Sequence, residues 1–248
     1  MEEIKFEEQD IVGEDTLDVI SSAGKFNAWM YETIKPHCKG KVLEIGSGIG
    51  NISDYFMKDG FPIMLTDIRS TYCNKLESRF KEHSSFLGAK VMDLTDEDFD
   101  QKFADQIATY DTVFALNVVE HIQNDSLAIK NCRKLLKDDG HLIILVPSYK
   151  GLYNRFDEEL GHYRRYTKST LAGLFSEHNL EVLHKQYFNF IGIFGWYVSG
   201  HLMHNESIPE GQMKIYNRLI PISRIMDNII FNFLGLSTIV VGRKQNVK

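Results

Sequence analysis

Apolar runs recur along the chain at a spacing that predicts strands at 41–45 (KVLEI), 62–66 (PIMLT), 87–92 (LGAKVM), 111–116 (DTVFAL), 141–147 (HLIILVP), 181–188 (EVLHKQYF) and 236–242 (LSTIVVG). Between the first five lie stretches with helical spacing. From Ile122 to Leu136, for example, Leu127, Ile129, Cys132, Leu135 and Leu136 fall mostly on one face of a helix. Strands alternating with helices predict βαβ units, a parallel sheet and an α/β fold. Upstream, Thr16 to His37 reads as one or two helices ending at Pro36, with Phe26, Trp29, Met30 and Ile34 as a stripe for the core or a pocket lid.

The last third departs from this alternation. More than 40 residues, Asn189 to Gly235, separate the sixth and seventh strands, so this connection is predicted to contain helices of its own. Gln186 to Asn205 has no Asp, Glu, Lys or Arg, which raises the question of a membrane span. Asn189, three glycines and two histidines within the run argue against one, as does the use of its first residues as a strand. A helix roofing a pocket is expected. A sharper alternative is an interfacial element that dips Phe190, Ile193, Phe194, Trp196 and Tyr197 into a bilayer surface.

Composition narrows the class without changing it. The 248 residues are 43% hydrophobic and 25% charged, as in ordinary globular proteins. One domain over 1–248 is expected: an acidic lead segment at 1–18, a helical lid at 16–37, a cofactor-binding core at 38–148, and substrate-side insertions at 149–166 and 189–235. The net charge of −6 is concentrated in residues 1–18, which hold eight acids against Lys5 and leave the rest near neutrality. No basic stripe suggests a nucleic-acid partner. Cys38, Cys73 and Cys132 are too dispersed for a disulfide framework or a zinc site, so no metal is assigned and a reducing cytoplasm is expected. MEEIKFEEQD lacks the basic and apolar regions of a secretory signal.

The candidate chemistry begins at VLEIGSGIGN, residues 42–51. A strand followed by Gly46-Ser47-Gly48-Ile49-Gly50 and a helix leaves backbone N–H groups open to a ligand. A dinucleotide fingerprint would place glycine at 51, where this chain has Asn51, which argues against a nicotinamide oxidoreductase. Asp67 ends the second strand, where it can hydrogen-bond a ribose diol. Asp93 follows the third strand in KVMDLTD and Asn117 the fourth in ALNVVEHI.

Taken in order, GxGxG, an acid after strand two, an acid after strand three and N-x-x-E-H after strand four resemble the class I S-adenosylmethionine-dependent methyltransferases. The resemblance covers about 16–148. It implies a Rossmann-like seven-stranded sheet of order 3-2-1-4-5-7-6, the last strand antiparallel, with helices on both faces and a helical insertion between strands six and seven. It also implies S-adenosylmethionine as cofactor. Glu44, Gly46, Ser47, Gly48 and Gly50 would surround its methionine and ribose, and Asp67 would bind the ribose hydroxyls. Ile68 would lie on the adenine face, Asp93 and Leu94 at the adenine edge, and Asn117 near the methionine end.

The methyl acceptor is sought after strands four and five. His121 in VVEHI and His162 in FDEELGHYRRYT are the candidate bases, His121 having the alternative of merely ordering its loop. Tyr163, Arg164, Arg165, Tyr166 and Trp196 are the candidate acceptor contacts, since guanidinium binds carboxylate or phosphate bidentately. One arginine is expected to be structural, paired with Asp157 or Glu158. The segment from Asp157 to Tyr166, D-x-x-L-G-H-x-R-R-Y, resembles a subset of methyltransferases often associated with glycosyltransferases and with polysaccharide or lipid biosynthesis. FNFIGIFGWYVSGHLM and PEGQMKIYNRLIP extend that resemblance. It implies O-methylation of a small-molecule, glycan or lipid-linked acceptor, with possible peripheral contact at the inner face of a membrane. N-methylation of an amine or sugar, and non-catalytic cofactor binding, are the alternatives.

Overall fold

Seven strands form one sheet in the order β3-β2-β1-β4-β5-β7-β6 in the computed structural model. The structure describes residues 19, 21–202 and 210–245; the acidic lead segment and the residues 203–209 lie outside them. The strands are β1 (Val42–Ile45), β2 (Ile63–Asp67), β3 (Phe86–Val91), β4 (Tyr110–Leu116), β5 (Leu136–Pro147), β6 (Leu180–Phe188) and β7 (Ser237–Lys244). β1 to β5 pair in parallel, whereas β7 runs antiparallel to both β5 and β6. The implied fold, its strand order and its reversed last strand are all present.

Helices pack on both faces, which is why the central strands are apolar at nearly every position. Leu142, Ile144 and Val146 of β5 point into one layer with Ile129 and Cys132 of α5 (Asp125–Leu135) and Leu171 and Phe175 of α7 (Lys168–Glu177). The intervening Ile143 and Leu145 point the other way. There they meet Trp29 and Ile34 of α1 (Gly24–Ile34), Phe56 of α2 (Ser53–Lys58), and Leu76 and Phe80 of α3 (Ser70–Phe80). Each such fully buried aliphatic or Phe side chain contributes about 1.5–3 kcal/mol. The stripe of Trp29, Met30 and Ile34 is therefore core.

A four-residue helix, α4 (Phe99–Lys102), precedes β4. A short α6 (Arg155–Glu159) lies in the segment between β5 and α7. Thr167 caps α7 by accepting from Thr170 N–H at 3.2 Å, and the Thr170 hydroxyl accepts from Thr167 N–H at 2.9 Å. This is a reciprocal cap in which threonine replaces the usual acid.

The long connection holds α8 (Phe190–Tyr197), continued by a π turn at Val198–Leu202, and α9 (Glu210–Ile229). Asn189 enters α8 at φ +70°, a conformation asparagine tolerates, and accepts from Gly192 N–H at 2.8 Å. Asp227 of α9 accepts from the N–H groups of Asn189 and Phe190 at 2.6 and 2.7 Å, tying the two helices together. Asn217 of α9 likewise accepts from the N–H groups of Lys25 and Phe26 at the start of α1. Among the described residues no helix is long and apolar enough to cross a membrane.

Candidate active site

The glycine loop leaves β1 with Gly46, Gly48 and Gly50 at φ +67°, +53° and +83°, a left-handed region that side chains disfavour. A Cβ on Gly46 would stand 2.4 Å from Val118 Cγ2, and one on Gly50 would stand 2.6 Å from the Phe80 ring. The first glycine therefore admits the loop after β4, and the third admits α3. Ser47 fastens the loop to β2 twice, through its N–H to Thr66 O at 2.8 Å and through Thr66 N–H to its hydroxyl at 3.2 Å.

Asp67, buried at the end of β2, accepts from Gly48 N–H at 2.9 Å and Arg69 N–H at 3.0 Å. Burial raises its carboxyl above the usual range despite those bonds. Each oxygen still has a lone pair for a hydroxyl, so the donor set fits a ribose diol. Glu44 is buried in β1, where it accepts from Ser53 Oγ, and burial pushes its carboxyl up to about 8. Asp93 accepts from the N–H and hydroxyl of Thr95 through one oxygen, both at 2.7 Å, leaving the other for an amine. Ile68 is half-buried beside Asp67. The Leu94 side chain is in the core, so only its backbone can meet a ligand. Asn117 is exposed at φ +54°, its N–H bonded to Leu145 O at 2.8 Å. These residues, read from four separate strand ends, fit an adenosyl ligand laid across the carboxyl edge of the sheet.

The acceptor side is built on a buried Asp157. Its carboxylate accepts from His162 Nδ1 at 2.7 Å, from Arg165 Nε at 2.8 and 3.0 Å, and from Asn154 N–H at 3.0 Å. Burial alone would raise its pKa; the His162 hydrogen bond and the Arg165 charge outweigh it and hold the carboxyl below the usual range. His162 is buried too, pinned through its own N–H to Asp157 O at 2.7 Å and through its carbonyl to Tyr153 OH at 2.8 Å. With Nδ1 occupied by the carboxylate, Nε2 is the nitrogen left to exchange a proton.

The His121 ring meets the His162 ring edge-on, centroids 4.5 Å apart. Both stand beside Glu120, which is wholly buried with neither carboxyl oxygen hydrogen-bonded; burial pushes it up to about 7. Donor atoms of Glu120, His121 and His162 all lie within 4.8 Å of one another. No metal is expected from the sequence, where Glu120 stands only as the acid of the N-x-x-E-H motif. A Glu-His pair next to a buried second histidine is a signal only once the fold joins residues 120 and 162.

The acceptor contacts expected from sequence are mostly committed to the protein. Arg165 is buried on Asp157, with its Nη1 on Ser148 O at 3.1 Å. Arg164 pairs with Asp125 at 2.7 Å and donates to Gln123 O at 2.6 Å. Both arginines, rather than one, are thus held by internal partners. Tyr166 is in the core with its hydroxyl on Asp125 Oδ2 at 2.7 Å, whereas Tyr163 is exposed. Trp196 donates to Leu152 O at 3.1 Å, packs on Phe156, and covers the Arg165 guanidinium at 4.6 Å. It bolts α8 onto the 149–166 segment. Tyr149, not singled out in the sequence, turns the chain at the end of β5 with φ +59°, a strained value for an aromatic residue.

A family model described as a methyltransferase domain matches residues 28–185. A hybrid PKS-NRPS synthetase, thnA, of Trichoderma harzianum is 31% identical over 147 residues, 55% of this chain and 4% of the synthetase. The chain thus spans a small part of that relative. Among solved structures, the CurJ carbon methyltransferase is similar at TM-score 0.52 and 16% identity, over 84% of this chain and 49% of that one. Phosphoethanolamine N-methyltransferase 2 of Haemonchus contortus, in complex with S-adenosyl-L-methionine, is similar at TM-score 0.59 and 14% identity, over 89% and 52%. At those identities the likeness is one of fold.

Proposed function

The chain belongs to the methyltransferase-domain family, with S-adenosylmethionine as its cofactor, and from that premise we propose that it methylates an acceptor hydroxyl, with His162 as general base. When bound, the cofactor supplies an electrophilic methyl on a sulfonium. Glu44, the 46–50 loop, Asp67, Asp93 and Asn117 orient it, as the residues at the strand ends are spaced to do. The observation that carries the base assignment is the Asp157–His162 hydrogen bond of 2.7 Å, which fixes the tautomer and leaves Nε2 to accept the hydroxyl proton as the oxygen–carbon bond forms. Asp157, clamped by Arg165, stabilises the resulting imidazolium. Burial pushes the Glu120 carboxyl up to about 7, so it carries only part of a negative charge beneath the site at neutral pH.

The resemblance of 157–166, 188–203 and 209–221 to methyltransferases found alongside glycosyltransferases supports a glycan or lipid-linked acceptor over a free small molecule. A second reading, carbon methylation, is favoured by the similarity to a polyketide synthetase and to a carbon methyltransferase. It needs a base as well, because a carbon acid must lose its proton before attack. Labelled methyl transfer from S-adenosylmethionine into fractionated glycan, lipid and small-molecule pools separates the two readings, since the bond formed is alkali-stable in both but only the ether is cleaved by boron tribromide. His162→Ala should lower turnover about 100- to 10,000-fold while calorimetry shows unchanged cofactor affinity. Unchanged turnover would remove His162 from the chemistry, and an amine product or no product would overturn the hydroxyl assignment.

A further inference from the structure

The outer face of α9 is apolar and uncovered. Its inner face, with Met213, Ile220, Ser223 and Asp227, is buried, as an amphipathic helix requires. Ile215, Leu219, Ile222, Ile225 and Ile229 run along the opposite side, all of them exposed. Beyond the helix, Phe231 and Phe233 are 80% and 68% exposed, with Leu234 beside them. On α8, which packs against α9, Phe194, Tyr197 and Val198 are exposed as well. Scattered surface leucines need no explanation, but a continuous strip of this length ending in two bare phenylalanines does.

The charges bordering the strip identify its partner. From Gly211 to Leu234 the cations are Lys214, Arg218 and Arg224, the last paired with Glu32 of α1 at 2.6 Å, and the acids of α9 are Glu210 at its first position and the buried Asp227. Lys214 and Arg218 sit within the same exposed turns as Ile215 and Leu219. At the far end Lys168 lies 5.5 Å from the Phe233 ring. Lys214 and Arg218 at one end and Lys168 at the other give the border of the strip a positive sign. An anionic headgroup layer complements them, while its acyl boundary accepts isoleucine and phenylalanine.

We propose that α9 and the Phe231–Leu234 tip form a docking surface for an anionic lipid bilayer, the helix lying in the interface plane with Lys214 and Arg218 at headgroup level. α8, which joins this surface to the 149–166 segment through Trp196, places the base-bearing loop next to the membrane. The proposal goes beyond the acceptor assignment and is read without methyl transfer, so the two can fail separately.

Vesicle co-sedimentation of the full chain is the test. Pelleting is expected with phosphatidylcholine vesicles containing phosphatidylglycerol, and not with phosphatidylcholine alone. Lys214→Glu with Arg218→Glu should weaken it by at least roughly tenfold. Ile222→Glu with Ile229→Glu and Phe231→Glu should abolish it while cofactor affinity and melting temperature stay as in the parent, these side chains being exposed. A protein that stays in the supernatant with both vesicle types, pelleting that survives the triple variant, or a strip found closing a homodimer in light scattering would each overturn the proposal.

Discussion

A single carboxylate, Asp67, shapes the glycine loop and, in the proposed function, also meets the ribose. Its two oxygens already accept from Gly48 and Arg69, so Asp67→Ala removes a loop tether together with the two bonds proposed to the ribose. Cofactor affinity should fall by roughly 100-fold, two charge-assisted hydrogen bonds being lost, which titration calorimetry would measure. Glu120 and Glu44 act in the opposite sense, on pH. Burial raises their folded pKa values to about 7 and about 8 from 4.5, so the folded state holds protons that the unfolded chain has released. Their contribution is therefore fully present below the unfolded value and lost as pH rises through 7 to 8. The cofactor-free melting temperature should fall over that range, and Glu120→Gln should flatten part of the fall. Asp157, whose pKa is depressed, contributes with the opposite sign, in a separate acidic window below the ordinary aspartate range.

At the scale of elements, the connection between β6 and β7 is held less by helix propensity than by side chains that reach across it. Asp227 alone accepts from two N–H groups at the start of α8. Asp227→Ala should leave the buried Asn189 donor and the half-buried Phe190 donor without this acceptor and cost about 2–4 kcal/mol, measured by urea unfolding; Asp227→Asn should recover part of that. Such bonds are also where the sequence was silent. The seven strands were legible to within two residues at almost every end, the central ones because both of their faces are buried and their apolar runs are nearly unbroken. The exception is the start of β5, where Leu136 pairs with Tyr110 before a register shift at KDDG. The residues expected to meet the cofactor follow the strands: Glu44 and Asp67 lie within β1 and β2, and the glycine loop, Asp93 and Asn117 just past β1, β3 and β4. Arg165 on Asp157 is the structural pairing expected for one of the two arginines, whereas Arg164 and Tyr166 both lean on Asp125, a partner set by folding rather than by spacing.

For the whole molecule, the sheet divides the work. The β1–β3 side carries the carboxylates proposed to hold the adenosyl group, and the β4–β6 side carries the histidines and the exposed apolar face of α9. The division has a temporal meaning that follows from where β7 sits. β6 is an edge strand whose partner is β7, and β7 also fills the open edge of β5. During synthesis β1 to β5 can pair as they emerge, but β6 must wait for residues 237–244, more than 40 residues later. Long-range pairing of this kind is slow and leaves two strand edges bare in the meantime. A nascent chain arrested before β7 should therefore already bind the cofactor product while β6 and the 149–166 segment stay protease-sensitive, whereas release past Lys244 should make that half protease-resistant as well. Vectorial synthesis thus delays the acceptor half until after the donor half has had the chance to form.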